Sequence, residues 1–175
     1  MKKIPFLLLV LLFQLSSYAQ GEKAPLYETK NLIGIKTKED FKQEPHVEWF
    51  ENNYNDYVLD KILVKKIKRH LKGVSVKAFM GTWCEDSQLE TPRFYKLLDS
   101  LKFDTDKLTM ITVNRDKKTP DNLQEGLNVF RVPTFIFYKK NKEIGRFVEY
   151  PRETLENDIL KIVSGQSYKH SYEEE

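Results

Sequence analysis

The stretch from Val74 to Pro92 constrains this chain more than any other. Val74, Val76, Ala78 and Met80 alternate with Ser75, Lys77 and Phe79, a short β-branched-rich run that predicts a buried strand. Gly81 and Thr82 break it, and Glu85-Asp86 followed by Leu89, Phe94, Leu97 and Leu98 predict a helix opening. Cys84, the only cysteine, therefore falls at a strand-to-helix turn. Unpaired N–H groups and the helix dipole favour a negative charge there, and hence the thiolate, the reactive form of this side chain. Trp83 beside it offers an apolar platform for a docking peptide. The competing reading is a buried, inert thiol.

The chain's start bears on where such a thiol would work. Lys2-Lys3, the apolar run Ile4 to Phe13 and the small residues Ser16-Ser17-Tyr18-Ala19 have the build of a secretory signal peptide. A spanning helix needs ~20 apolar residues, and Gln14, Ser16 and Ser17 interrupt too early. The expectation is a mature protein starting near Gln20, secreted to the periplasm or cell envelope, with no stable membrane insertion; an uncleaved anchor is the alternative. No cysteine lies near the cleavage point, which closes the lipoprotein route. With one cysteine no intramolecular disulfide can form, so stability must come from the core alone.

A length of 175 residues favours one domain with modest additions. Gly21 to Ile35 reads as an irregular arm. Thr37 to Asp40 has a capping-box pattern, Pro45 stops that helix, and Val47, Trp49, Phe50 and Tyr54 suggest a second with an aromatic face. Leu59, Ile62, Leu63, Ile67 and Leu71 recur at helical spacing up to Gly73. Downstream, Leu108 to Val113 reads as a strand and Leu123 to Val129 as a short helix or turn. Phe130 to Tyr138 and Glu143 to Val148 read as an antiparallel pair, Glu153 to Val163 as a helix, and Tyr168 onward as a frayed tail. The sum is an α/β fold, β-α-β-(α)-β-β-α, with helices able to cover both faces of a central mixed sheet.

Two motifs then carry a resemblance. Trp83-Cys84-Glu85-Asp86-Ser87 after a strand, with Pro92 eight residues beyond the cysteine, resembles the active-site segment of thioredoxin-like proteins, most closely secreted bacterial ones. Phe130-Arg131-Val132-Pro133-Thr134-Phe135-Ile136-Phe137 resembles that family's cis-proline strand. The resemblance covers roughly residues 73–165 and implies a thioredoxin-like three-layer sandwich, a central mixed β-sheet flanked by helices. The expected organisation is a signal peptide at 1–19, an arm and N-terminal helical extension at 20–72, the thioredoxin-like domain at 73–166 and a flexible tail at 167–175. Two positions depart from the family's pattern: its second, resolving cysteine is Ser87, and the buried carboxylate six residues before the first cysteine is Ala78.

The resemblance assigns Cys84 as nucleophile, Ser87 as its hydrogen-bonding neighbour, Trp83 as an apolar rim and Val132, Pro133 and Thr134 as the seat of an extended substrate. A Cys84 thiolate can attack an exposed disulfide and form a mixed disulfide. Ser87, at i+3 on the helix, can donate to the thiolate, whereas Glu85 and Asp86 repel it. Release needs an outside thiol, so the expected partners are protein thiols or disulfides and a small-molecule thiol. A self-contained dithiol reductase is excluded by composition. The other function class is a redox-silent binding module that keeps the peptide groove.

Other chemistries find little support. His46, His70 and His170 lack metal-ligand spacing, so no metal and no cofactor is expected, and each reads as a surface residue. The basic run Lys65 to His70 fits the solvated face of a helix, and net charge falls from +3 to +1 once Lys2 and Lys3 are removed, so nucleic acid is not an expected partner. A monomer is expected.

Overall fold

A computed structural model describes residues 31–174; the signal peptide expected at 1–19 and the arm up to residue 30 lie outside the described residues. Five strands form one mixed sheet: β1 (Gly34–Lys36), β2 (Val74–Met80), β3 (Leu108–Thr112), β4 (Thr134–Lys139) and β5 (Lys142–Val148), in the order β1-β3-β2-β4-β5. β2 and β3 run parallel, with Ala78 opposite Met110, and every other pair is antiparallel. The parallel pair needs a long crossover, supplied by helix α3 (Glu85–Leu101).

The expected irregular arm ends differently: Gly34–Lys36 pairs with β3, giving its open edge a partner. The strand expected from Phe130 starts only at Thr134. Before it, the Val132–Pro133 peptide is cis, and proline has no N–H to give a ladder.

α1 (Val47–Asp56), α2 (Lys61–Lys68), α3 and α4 (Leu155–Ser164) all bury their apolar stripes against one sheet face. Asp60 accepts from the Ile62 and Leu63 N–H groups and Thr154 from the Asn157 N–H, so each opens a helix with a side-chain cap. Gly165, left-handed at φ 75°, closes α4. Alternation along β2 sends Val74, Val76, Ala78 and Met80 to this face. There Phe94 stacks on Phe135 at 4.2 Å and Phe135 on Phe147 at 5.2 Å. The aromatic face of α1 packs inward, Phe50 stacking on Phe41 at 5.7 Å. Ile62, expected in the inward stripe, is instead 67% exposed, because α2 buries only the row through Ile67.

The opposite face holds a second, smaller core of Phe79, Ile111, Val113, Val132 and Ile136. Its cover is the run from 114 to 131, folded as turns with Leu123, Leu127 and Val129 pointing inward. The protein thus has three layers, helices, sheet and turns, with the third cover lacking a helix among the described residues. The segment after α4, expected to fray, packs back: Tyr168 donates its hydroxyl to Asp158 and Ser171 to the Tyr150 carbonyl. Burial of the Tyr168 ring against the helical core supplies the reason.

Candidate functional site

Cys84 is the N-cap of α3, with extended backbone (φ −105°, ψ 123°), and its side chain is half-buried. Its N–H donates to Gly81 O at 3.0 Å and its carbonyl accepts from Gln88 N at 2.9 Å, which clamps the turn between β2 and α3. The first N–H groups of α3 have no intrahelical acceptor and lie at the cysteine's end of the helix. The sulfur itself sits 3.3 Å from the Val132 carbonyl oxygen, to which the thiol donates. Two segments far apart in sequence, the helix start and the cis Val132–Pro133 peptide, therefore meet at one sulfur.

The turn is held from several sides. Gln88 donates its amide to Thr82 O at 2.7 Å, and the Thr82 hydroxyl accepts from Leu32 N and donates to Asn31 Oδ1. The Trp83 indole N–H donates to Val113 O at 2.8 Å. Its ring lies over Gly81 so closely that a Cβ there would stand 2.5 Å from the ring; only glycine leaves room. Arg115 and Lys117 sit over the same indole at 5.2 and 5.9 Å. Trp83 is thus a fixed, half-buried wall with cations above it, rather than a bare apolar rim.

Ser87 departs from its expected place. It is fully buried, and its hydroxyl accepts the Gly81 N–H at 3.2 Å; no hydrogen bond joins it to Cys84. Its hydroxyl oxygen instead faces the turn backbone at Gly81. Thr134 is also turned inward, 1% exposed, with its hydroxyl donating to Arg131 O at 2.7 Å. The structure therefore brings together Cys84, Trp83, Val132 and Pro133, and leaves Ser87 and Thr134 as buried supports. The Val132 side chain is itself buried, so what it offers at the site is backbone.

Glu149 carries no motif in the sequence, yet belongs to this neighbourhood. Its N–H donates to Pro133 O at 2.7 Å and its backbone is left-handed at φ 64°. Burial raises its carboxyl pKa above the usual range, with Arg131 and Lys117 opposing and Asp86 adding to the rise. Behind the site, Glu90 on α3 is 3% exposed and paired with Arg93 at 2.9 Å. Burial raises its pKa, with Arg93 opposing. The Tyr57 hydroxyl donates to Glu156 at 2.6 Å in the same layer.

The histidines correct one expectation: His46 is 5% exposed, edge-on to Trp49 at 5.9 Å, because it starts the aromatic face of α1. Among the described residues no group of three or more His, Cys, Asp or Glu is placed to hold a metal. Among them, too, no helix is long and apolar enough to cross a membrane.

A family model described as thioredoxin matches residues 35–161. A thioredoxin-like protein of Acanthamoeba polyphaga mimivirus is 28% identical over 90 residues, 51% of this chain and 63% of that protein. Thioredoxin domain-containing protein 2 of Rattus norvegicus is 28% identical over 126 residues, 70% of this chain but 21% of that protein. The chain thus spans less than two thirds of either relative. A Pseudomonas aeruginosa protein of unknown function superposes with a TM-score of 0.51 at 18% identity, over 68% of this chain and 81% of the other. An HIV epitope scaffold gives a TM-score of 0.52 at 17% identity, over 69% and 83%. These two solved structures share the fold. With the family model running from β1 into α4, the chain belongs to the thioredoxin family.

Proposed function

We propose that the protein carries out thiol–disulfide exchange through Cys84 alone. One observation carries this reading: Cys84 occupies the N-cap position of α3, and its sulfur stands 3.3 Å from the backbone of the cis Val132–Pro133 segment. A substrate disulfide laid along that segment would meet the thiol at the N-terminus of α3. The thiolate attacks one sulfur of the disulfide; the new S–S bond joins substrate to Cys84, the old one breaks, and the other substrate sulfur leaves as a thiolate. With serine at position 87, release falls to an incoming thiol. A second substrate cysteine completes an isomerisation, and a small thiol completes a reduction. The signal-like start, Lys2 to Ala19, supports export of the mature chain from about Gln20 to the periplasm or cell envelope.

A redox-silent groove is the second reading, favoured by a separate observation. The thiol donates to Val132 O, the Ser87 oxygen accepts the Gly81 N–H, and Ala78 is a fully buried residue of the helical-face core. That arrangement gives the thiol proton a backbone acceptor and leaves positions 87 and 78 without a resolving sulfur or a buried carboxylate.

Trapping separates the two. The mature protein, incubated with a cell-envelope extract and quenched in acid, is expected to carry protein adducts that dithiothreitol releases and Cys84→Ser abolishes. The same partners retained by Cys84→Ser and unaffected by dithiothreitol would establish the binding groove instead.

A further inference from the structure

Close in the chain to the residues that meet Cys84, or packed on those that are, the surface carries three aromatic rings. Phe130, Tyr150 and Tyr172 are 39%, 48% and 38% exposed. Tyr172 stands between the other two, edge-on to Phe130 at 5.6 Å and tilted against Tyr150 at 5.9 Å. The Arg131 guanidinium lies 5.1 Å from the Tyr172 ring. Adjoining rings left in water forgo burial that the fold could have used, and such patches mark interaction sites.

Each ring is tied to the segment that holds the thiol. Phe130 precedes Val132 by two residues, at most about 7 Å of chain, and Val132 O receives the Cys84 thiol. Tyr150 follows Glu149, whose N–H donates to Pro133 O. Tyr172 comes from the far end of the chain, and hydrogen bonds to backbone carbonyls hold it. Ser171 donates to Tyr150 O, and Arg152 donates to the carbonyls of His170 and Glu173. The tail's folding back thus adds a third ring to Phe130 and Tyr150, which flank the Val132–Pro133 segment and its Glu149 partner in the chain.

We propose that Phe130, Tyr150 and Tyr172 form a selecting platform for the substrate polypeptide, taking an aromatic or large aliphatic side chain two residues from the sulfur that Cys84 attacks. The proposal rests on the thiol-exchange reading and names its substrate class. An extended chain rises about 3.3 Å per residue and points residues i and i+2 the same way, about 7 Å apart. That spacing lies within the reach that two residues of chain give Phe130 from Val132. Rigid aromatic rings also supply contact area at low cost in side-chain entropy.

The test uses two peptides with one cysteine each, activated as the mixed disulfide with thionitrobenzoate. One has Phe two residues to either side of the cysteine, the other Ala. Cys84 attacks the peptide sulfur, the peptide–Cys84 disulfide forms, the old S–S bond breaks, and thionitrobenzoate leaves as a coloured thiolate. The second-order rate with the Phe peptide is expected to exceed that with the Ala peptide about three- to tenfold, the span of one aromatic contact. Tyr172→Ala is expected to bring that ratio within about twofold of unity on the same basis, and Tyr172→Phe to keep it. A general loosening of the tail would slow both peptides together and leave the ratio alone. A ratio near one in the parent protein, or one that survives Tyr172→Ala, overturns the platform. If neither peptide reacts, the exchange reading has failed. The platform is then decided by fluorescence-anisotropy binding of the same peptides with Ala in place of Cys: a Tyr172-dependent preference for Phe upholds it, and none overturns it.

Discussion

The two faces of the sheet are built on different terms. The helical face closes over Phe41, Phe50, Phe94, Phe135, Phe137 and Phe147, all at most 1% exposed, under four helices. The other face has five buried residues, covered by turns, with Trp83 and Cys84 at the margin. Burial of large rings pins the first face and leaves the second free to carry a half-exposed thiol. The larger core and the thiol therefore lie on opposite faces of one sheet, and substitutions on the two faces should fail differently.

The largest effect is expected on the helical face. Phe94→Ala removes a fully buried ring stacked on Phe135 and should cost about 3–5 kcal/mol, read as a lower urea midpoint. The folded fraction should keep its rate of Cys84 alkylation. Gly81→Ala makes the opposite test. Its Cβ would meet the Trp83 ring at 2.5 Å, costing about 1–3 kcal/mol by overpacking while altering both tryptophan emission and Cys84 alkylation. Ser87→Ala should come next, at about 1–2 kcal/mol, since it leaves the buried Gly81 N–H without its acceptor.

The pH response sharpens the contrast further. Burial raises the pKa of Glu90 and Asp158, both on the helical side. A carboxyl with a raised folded pKa gives its full contribution below the unfolded pKa, and that contribution is lost as pH rises through the folded one. Glu90→Gln should therefore gain stability relative to the parent as pH rises from about 4 to 8, followed by urea midpoints at each pH. Asp40 has the other sign. The Thr37 N–H and hydroxyl donate to its carboxylate and lower its pKa, so its contribution is present above the unfolded pKa and lost as pH falls. The site is solvent-exposed, and Asp40→Asn should cost less than about 1 kcal/mol.

How much of this was legible differs between the faces as well. Period-two alternation from Val74 to Met80 and the helical spacing of Leu155, Ile159 and Val163 were enough for the central strand and the last helix, because one buried face writes itself into the sequence. Cys84 at the helix start and its meeting with Val132 and Pro133 followed from two linked motifs. Ser87 did not: its i+3 spacing was right, but burial against the Gly81 N–H decides what its hydroxyl touches. Glu149 reaches the site only through the turn after β5, and Tyr172 only through a tail held by backbone carbonyls. Neither contact has a periodicity to read. β1 was hidden for a related reason, since three residues are too few to show alternation.

The most direct test of the account is the rate at which native Cys84 forms a mixed disulfide with a peptide disulfide, measured against a short unstructured cysteine peptide at the same pH. The account predicts a native rate above that of the free peptide, falling to the peptide's value when the protein is unfolded in urea. A thiol that reacts more slowly in the native protein than in the free peptide, and gains that rate only on unfolding, would contradict it.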